Sequence, residues 1–242
     1  MDITWLNYVD VKRRRNLLKI LQELSKLQDK ENPNFIIIGA MALLIADYLS
    51  YTAQWDVDLL FKNSNALRDF INLRKSSLLQ IVNYDDDYMT SENITSFHTA
   101  WSFGKGWFNV DYILRANLFE FYADRLDELA FYNQSIKFEN EIFSIALYLA
   151  HPWDIFLEKV LSPRTAKELE LKVDLSVDIR HIFLIYEKEK DCAEFWQRVL
   201  AKARRFNKER QFKETLLKVF DLRKELGYGG IEISPFSVEQ LR

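Results

Sequence analysis

Apolar residues recur at three- and four-residue steps from about Leu6 to Leu27, with Leu17, Leu18, Leu21, Leu24 and Leu27 on one face, and predict a first helix. Asn32-Pro33-Asn34 stops it, because proline disfavours helix in the residue before it. Phe35–Ile38 is then a wholly apolar run that ends at Gly39, the pattern of a strand buried on both faces. The same reading predicts a short apolar helix over 40–50, a strand over 56–61 and a helix over 66–74. Three strands follow at 78–84, 94–103 and 107–114, the last two joined through Gly104-Lys105-Gly106 as a tight hairpin. After Leu114 the pattern turns helical through Tyr132. A hairpin is expected at 135–138 and 142–147, turning at Glu139-Asn140-Glu141. Helices are expected over 152–161, 175–188, 191–206 and 208–226, the last stopped by Gly227, Gly229 and Gly230.

The order of elements implies an α+β chain: a small mixed sheet with flanking helices, followed by a helical C-terminal half. The expected division is 1–115 for the α/β part and 116–242 for the mainly helical part with its short hairpin. Composition agrees with a packed core, at 48% hydrophobic and 14% aromatic residues. Lys and Arg number 33 against 36 Asp and Glu, so a net charge of -3 excludes a uniformly basic nucleic-acid coat but not a local basic face. Cys192 is the only cysteine, which excludes an intrachain disulfide or a multi-cysteine zinc site. No run reaches the ~18 apolar residues of a membrane helix, and the N-terminal charges are ordered opposite to a secretory signal. A cytoplasmic protein without a membrane partner is the expectation.

The informative stretch is Ile36-Ile37-Ile38-Gly39-Ala40, followed by Trp55-Asp56-Val57-Asp58-Leu59-Leu60-Phe61. Strands are depleted in aspartate, yet two stand here one residue apart in an apolar run. Period-two geometry points Asp56 and Asp58 to one face. Two like charges buried uncompensated cost several kcal/mol, roughly, and a divalent cation resolves that conflict. Magnesium prefers carboxylate oxygens. Asp111, in the strand Phe108–Leu114, supplies a third acid. Three strand-borne carboxylates can hold two Mg2+ ions for an in-line displacement. Gly39, ending a strand and opening a helix, offers backbone N–H groups to a phosphate.

These residues resemble the nucleotidyltransferase superfamily of polymerase-β-like fold over about residues 34–114. That family places a small-residue pair before a helix (here Gly39-Ala40), then Asp-x-Asp (Asp56, Asp58), then a third acid on a later strand (Asp111). Ala40 keeps the backbone N–H but lacks the hydroxyl of the Ser found at this position in many members. The later region resembles the AbiEii-type toxin nucleotidyltransferases, through Pro152-Trp153-Asp154 leading to Lys159, then Lys172, Asp174 and Asp178. The arginine that often precedes the acidic pair in those toxins is missing from 50–54. The resemblance implies that Asp56, Asp58 and Asp111 bind metal and carry catalysis. It implies that Gly39, Ala40 and Lys159 contact the nucleotide, with Asp174 or Asp178 in support. It implies an NTP as donor, RNA (tRNA) or protein as acceptor, and an antitoxin as a partner.

Two readings stand beside it: a catalytically silent binding or regulatory protein of this fold, and an RNA-binding helical protein. The second draws on Lys12-Arg13-Arg14-Arg15 and on the 198–224 segment, where ten basic residues face three acidic ones. His98 lies in an alternating strand and can face the acids. His151 precedes a helix, and neither it nor His181 has zinc-site spacing. No Gly-x-Ser-x-Gly elbow supports a hydrolase triad.

Overall fold

The computed structural model describes residues 3–51, 56–74, 83–85, 95–103 and 107–242. The expected 104–106 turn, most of the 78–84 strand and the segment before Asp56 lie outside them. The chain forms two compact units, Met1–His151 and Pro152–Arg242.

In the first unit α1 (Val11–Leu27) is preceded by a 3-10 turn at Thr4–Tyr8 rather than running continuously from Leu6. Asp10 breaks the run, because its side chain accepts the Lys12 N–H at 2.8 Å and starts a new helix. Then come β1 (Phe35–Ile38), α2 (Gly39–Ile45), β2 (Val57–Phe61), α3 (Ser64–Arg74), β3 (Asn83–Asp85), β4 (Thr95–Trp101), β5 (Phe108–Leu114), α4 (Ala116–Ala123), β6 (Ala130–Phe138) and β7 (Glu141–Leu149). Among the described residues the strands make one sheet in the order β3-β4-β5-β2-β1-β7-β6. It is mixed: β2 runs parallel to β5 and β1 to β7, while the other neighbours are antiparallel.

All four residues of β1 are buried, as an apolar run in mid-sheet requires. Behind the sheet Phe35, Phe61, Phe70, Tyr112 and Trp101 interlock edge-on and stacked, with centroids 5.0 to 6.4 Å apart. β1 meets β7 only around Ile37 and Leu149. Further along β7, α1 and its C-cap supply the missing acceptors: Ser25 Oγ takes the Ala146 N–H at 2.9 Å and Gln28 Oε1 the Tyr148 N–H at 3.3 Å.

The hairpin expected in the C-terminal half therefore belongs to the sheet, and the division falls after His151 instead of residue 115. Its first strand also begins at Ala130, inside the stretch read as helix, since pairing with β7 outweighs local periodicity there.

The second unit is helical: α5 (Pro152–Leu161), α6 (Pro163–Leu171), α7 (Asp178–Glu189), α8 (Ala193–Arg205), α9 (Glu209–Leu222) and α10 (Pro235–Leu241). Its core centres on Phe156, which meets Phe195, Trp196 and Phe212 edge-on. The α+β architecture read from the sequence is the one the chain adopts. Among the described residues no helix is long and apolar enough to cross a membrane.

Candidate active site

The register of the sheet brings the acids together. Asp58 lies opposite Asp111 across the parallel β2–β5 pair, and opposite Ile38 across the antiparallel β1–β2 pair. Asp111 in turn faces His98 on β4. Asp56 precedes β2 by one residue and is exposed, whereas Asp58 is half-buried. Strand pairing across three strands thus sets Asp58, Asp111 and His98 in one row.

Asp111 Oδ2 lies 3.0 Å from His98 Nδ1, with the Asp111 side chain 15% exposed and the histidine 40%. Asp111 Oδ1 is buried and has no hydrogen-bond partner among the described residues. A carboxylate oxygen in that position carries a desolvation cost that no hydrogen-bond donor of its own offsets among the described residues. Burial accordingly pushes the Asp111 carboxyl above the usual carboxylate range, against the pull of His98, and the nearby Asp56 charge adds to the rise. Asp56 is raised too, chiefly by desolvation, with Asn109, Arg13 and His98 opposing. Because Asp56 is an exposed residue, solvent screening limits the weight of that shift.

Gly39 closes the site on the β1 side. Its φ of +65° is a left-handed conformation that glycine adopts without strain, and a Cβ there would come 2.7 Å from Asp58 Oδ2. The glycine is thus required twice, by its backbone angle and by the carboxylate pressed against it. The opening of α2, expected as a phosphate cradle, is abutted by the Asp58 carboxylate itself. Gly39 and Ala40 are both half-buried.

Lys159, Asp174 and Asp178 belong to the second unit. Lys159 is 5% exposed and its ammonium is hydrogen-bonded to the Asp178 carboxylate, which also pairs with Arg164 Nε at 3.1 Å and accepts from Ser162 Oγ at 3.4 Å. The cations outweigh desolvation and hold Asp178 below the usual carboxylate range. Lys159 and Asp178 therefore neutralise each other inside a helical core. Asp174 accepts a hydrogen bond from the Tyr228 hydroxyl.

Five of the ten basic residues of the 198–224 segment are likewise engaged in ion pairs. Arg198 and Lys202 pair with buried Asp154, Arg204 and Lys213 with Glu209, and Arg210 with Glu214. His181 stays neutral down to about pH 3, because burial and then Lys159 disfavour its charge.

Asn109, which opposes the rise of Asp56, was open to discovery from sequence: it stands two residues before Asp111 and so shares its strand face. Arg13 was visible only as one of four bases, since its position depends on how α1 packs across the sheet. The described residues also form a surface depression of about 560 Å³ elsewhere, lined by Gln22, Ser25, Lys30, Asn133 and Ser144, and it contains none of these acids.

Among the described residues no three of His, Cys, Asp and Glu converge as a ready-made metal cluster. The donor set nonetheless fits a hard cation, with two register-paired carboxylates and a buried oxygen lacking a donor.

No family profile matches the chain, and no curated protein matches it. Among solved structures the chain is similar to JHP933 from Helicobacter pylori, at 12% identity and a TM-score of 0.45, covering 96% of this chain and 90% of that one. It is similar to an antigenic nucleotidyltransferase-like protein from Paracoccidioides brasiliensis, at 15% identity and a TM-score of 0.40 over 84% and 93%. A proposed nucleotidyltransferase from H. pylori gives 12% identity and a TM-score of 0.39 over 87% and 93%.

Proposed function

We propose that the first unit is a magnesium-dependent nucleotidyltransferase, moving a nucleoside monophosphate from an NTP to an acceptor hydroxyl with release of pyrophosphate. The observation that carries this reading is the Asp58–Asp111 register pair, with one Asp111 oxygen buried and unpartnered. A carboxylate register-paired with a second one, with an oxygen that has no donor among the described residues, is a poor structural element and a good cation ligand. Bound magnesium supplies positive charge for the phosphate oxygens and favours ionisation of the nearby acids.

Within this reading Asp58 and Asp111 are the principal ligands, and Asp56 completes the acidic edge. His98 holds the orientation of Asp111 through the 3.0 Å contact. Gly39 lets Asp58 and the substrate approach the main chain closely, and the Gly39 and Ala40 N–H groups face the phosphates. Within the same reading Asp111 also helps to deprotonate the acceptor hydroxyl once the acceptor is seated. RNA such as tRNA, or a protein, is the acceptor, and the AbiEii-type resemblance makes a toxin with a cognate antitoxin the setting proposed.

The test is pyrophosphate release from each of the four NTPs with magnesium, with and without bulk tRNA, for wild type and Asp58→Ala. Release that requires Asp58 supports the transferase and identifies the nucleotide. If wild type binds neither magnesium nor any NTP, the reading is wrong and a binding or regulatory role takes its place.

A further inference from the structure

The four consecutive bases Lys12-Arg13-Arg14-Arg15 occupy the first turns of α1. Cations there oppose the helix dipole, a cost of about 0.3–1 kcal/mol each, so each calls for a compensating partner. Arg14 has one: its Nε and Nη2 donate to the Val9 and Asn7 carbonyls at 3.0 and 3.2 Å, fastening the preceding 3-10 turn. Arg15 has another, a two-pronged pair with Glu141 at 2.6 and 3.1 Å. Lys12 is exposed.

Arg13 differs from all three. Its guanidinium lies over the buried Phe108 ring, 3.9 Å from the centroid, and donates to the Trp107 carbonyl at 3.0 Å. Both contacts tie it to the start of β5, the strand that carries Asn109 and Asp111. It is close enough to Asp56 to oppose the rise of that acid. Among the described residues, however, it forms no ion pair with any carboxylate. A planar cation is thus oriented by a ring and a carbonyl at the start of β5, near Asp56, with most of its five donors uncommitted among the described residues.

We propose that Arg13 grips the polyphosphate of the nucleotide, making α1 part of the substrate site. The proposal rests on the nucleotidyl-transfer reading. A triphosphate carries more negative charge than the cations at three carboxylates offset, and a guanidinium fork matches phosphate oxygens in pairs. The ring stack keeps the fork preformed, so little side-chain entropy is lost on binding.

The experiment is equilibrium binding, with magnesium, of the four α,β-methylene NTP analogues and of the matching nucleosides. It compares wild type, Arg13→Met and Arg13→Lys, with thermal melts alongside. Arg13→Met keeps an apolar stem over Phe108 and so protects the packing. The expected result is an analogue affinity about 10- to 100-fold lower in Arg13→Met, nucleoside affinity unchanged, and partial recovery in Arg13→Lys. Equal analogue binding by wild type and Arg13→Met, or equal losses for analogue and nucleoside, overturns the role of Arg13 and leaves the transferase standing. Failure of wild type to bind any analogue overturns both.

Discussion

The two units treat their aspartates in opposite ways. In the helical unit Asp154 and Asp178 are each 1% exposed, and each is met by two cations: Arg198 and Lys202 for the first, Lys159 and Arg164 for the second. In the sheet unit Asp58 and Asp111 stand side by side, and one Asp111 oxygen has no donor among the described residues. The shifts follow suit, with Asp178 lowered and Asp111 raised. An acid that the fold neutralises serves the fold, whereas one short of a donor beside a second carboxylate does not, and under the proposed reading it meets a countercharge from outside. An orphaned oxygen alone does not make that distinction, because Glu168 and Asp174 each have one too. The register pairing with a second carboxylate makes it.

The largest expected effect tests the sheet side. Asp58→Ala should lower pyrophosphate release by about 10³-fold or more, the scale on which groups acting on developing charge contribute. Its melting temperature should be unchanged or higher, since a like-charge neighbour is removed. A mutant that unfolds instead would place Asp58 with the structural aspartates and erase the contrast.

Asp154→Ala tests the helical side and should do the reverse. It takes a buried carboxylate partner away from Lys202, 2% exposed at its side chain, and from Arg198. Breaking a buried pair from one side costs about 3–5 kcal/mol, measurable by denaturant unfolding. Replacing Asp154 and Lys202 together by Leu and Met should recover much of that loss. A loss under about 1 kcal/mol would mean that the pair is screened like a surface one.

Acid separates the units by sign. The His181 imidazole has an ordinary value of 6.5 but takes its proton in the fold only near 3. Between those values the unfolded chain binds more protons, so the helical unit loses stability as pH falls, at up to about 1.4 kcal/mol per unit. Below the ordinary 3.8 of aspartate, loss of the Asp178 contribution adds to this. The raised Asp111 acts oppositely: its charge favours unfolding at neutral pH, and protonation relieves that as pH falls. Hydrogen exchange corrected for intrinsic rates should show α7 losing protection between pH 6.5 and 4 before β2 and β5 do. Simultaneous loss would remove the distinction, and His181→Gln should flatten the α7 response.

Legibility in the sequence followed the same divide between local and long-range causes. The buried β1, the Gly39 junction and the Asp-x-Asp face are local patterns, and strand periodicity was enough to orient them. The start of β6 at Ala130 was read as helix because only β7, bonded across the hairpin, makes that segment a strand. Helices α6 and α10 lie outside the expected elements although Ser162-Pro163 and Ser234-Pro235 mark both starts, with proline in the first turn where its missing N–H costs nothing. The pairing of Lys159 with Asp178 is not legible in the sequence, because the partner lies 19 residues away on another helix. Period-two spacing could have supplied Asn109. No sequence signal distinguishes Arg13 from Arg14 and Arg15, since the packing of α1 alone decides which of them reaches β5.

The smallest expected effects compare two left-handed positions, one in each unit. Gly39, at φ +65°, has the Asp58 carboxylate where a Cβ would be. Lys172, at φ 55°, ends α6 as a C-cap whose N–H bonds the Glu168 carbonyl, and its side chain reaches Glu225 at the surface at 2.8 Å. Gly39→Ala should cost about 1–2 kcal/mol of backbone strain and also displace Asp58, so activity falls by more than stability alone explains. Lys172→Gly should relieve the same kind of strain and gain up to about 1 kcal/mol after the entropy of glycine is counted, with pyrophosphate release unchanged. Thermal melts and release assays on the pair separate the two uses of one backbone conformation. If Gly39→Ala loses stability but retains full turnover, the glycine serves the chain reversal only, and the close approach to Asp58 is incidental to chemistry.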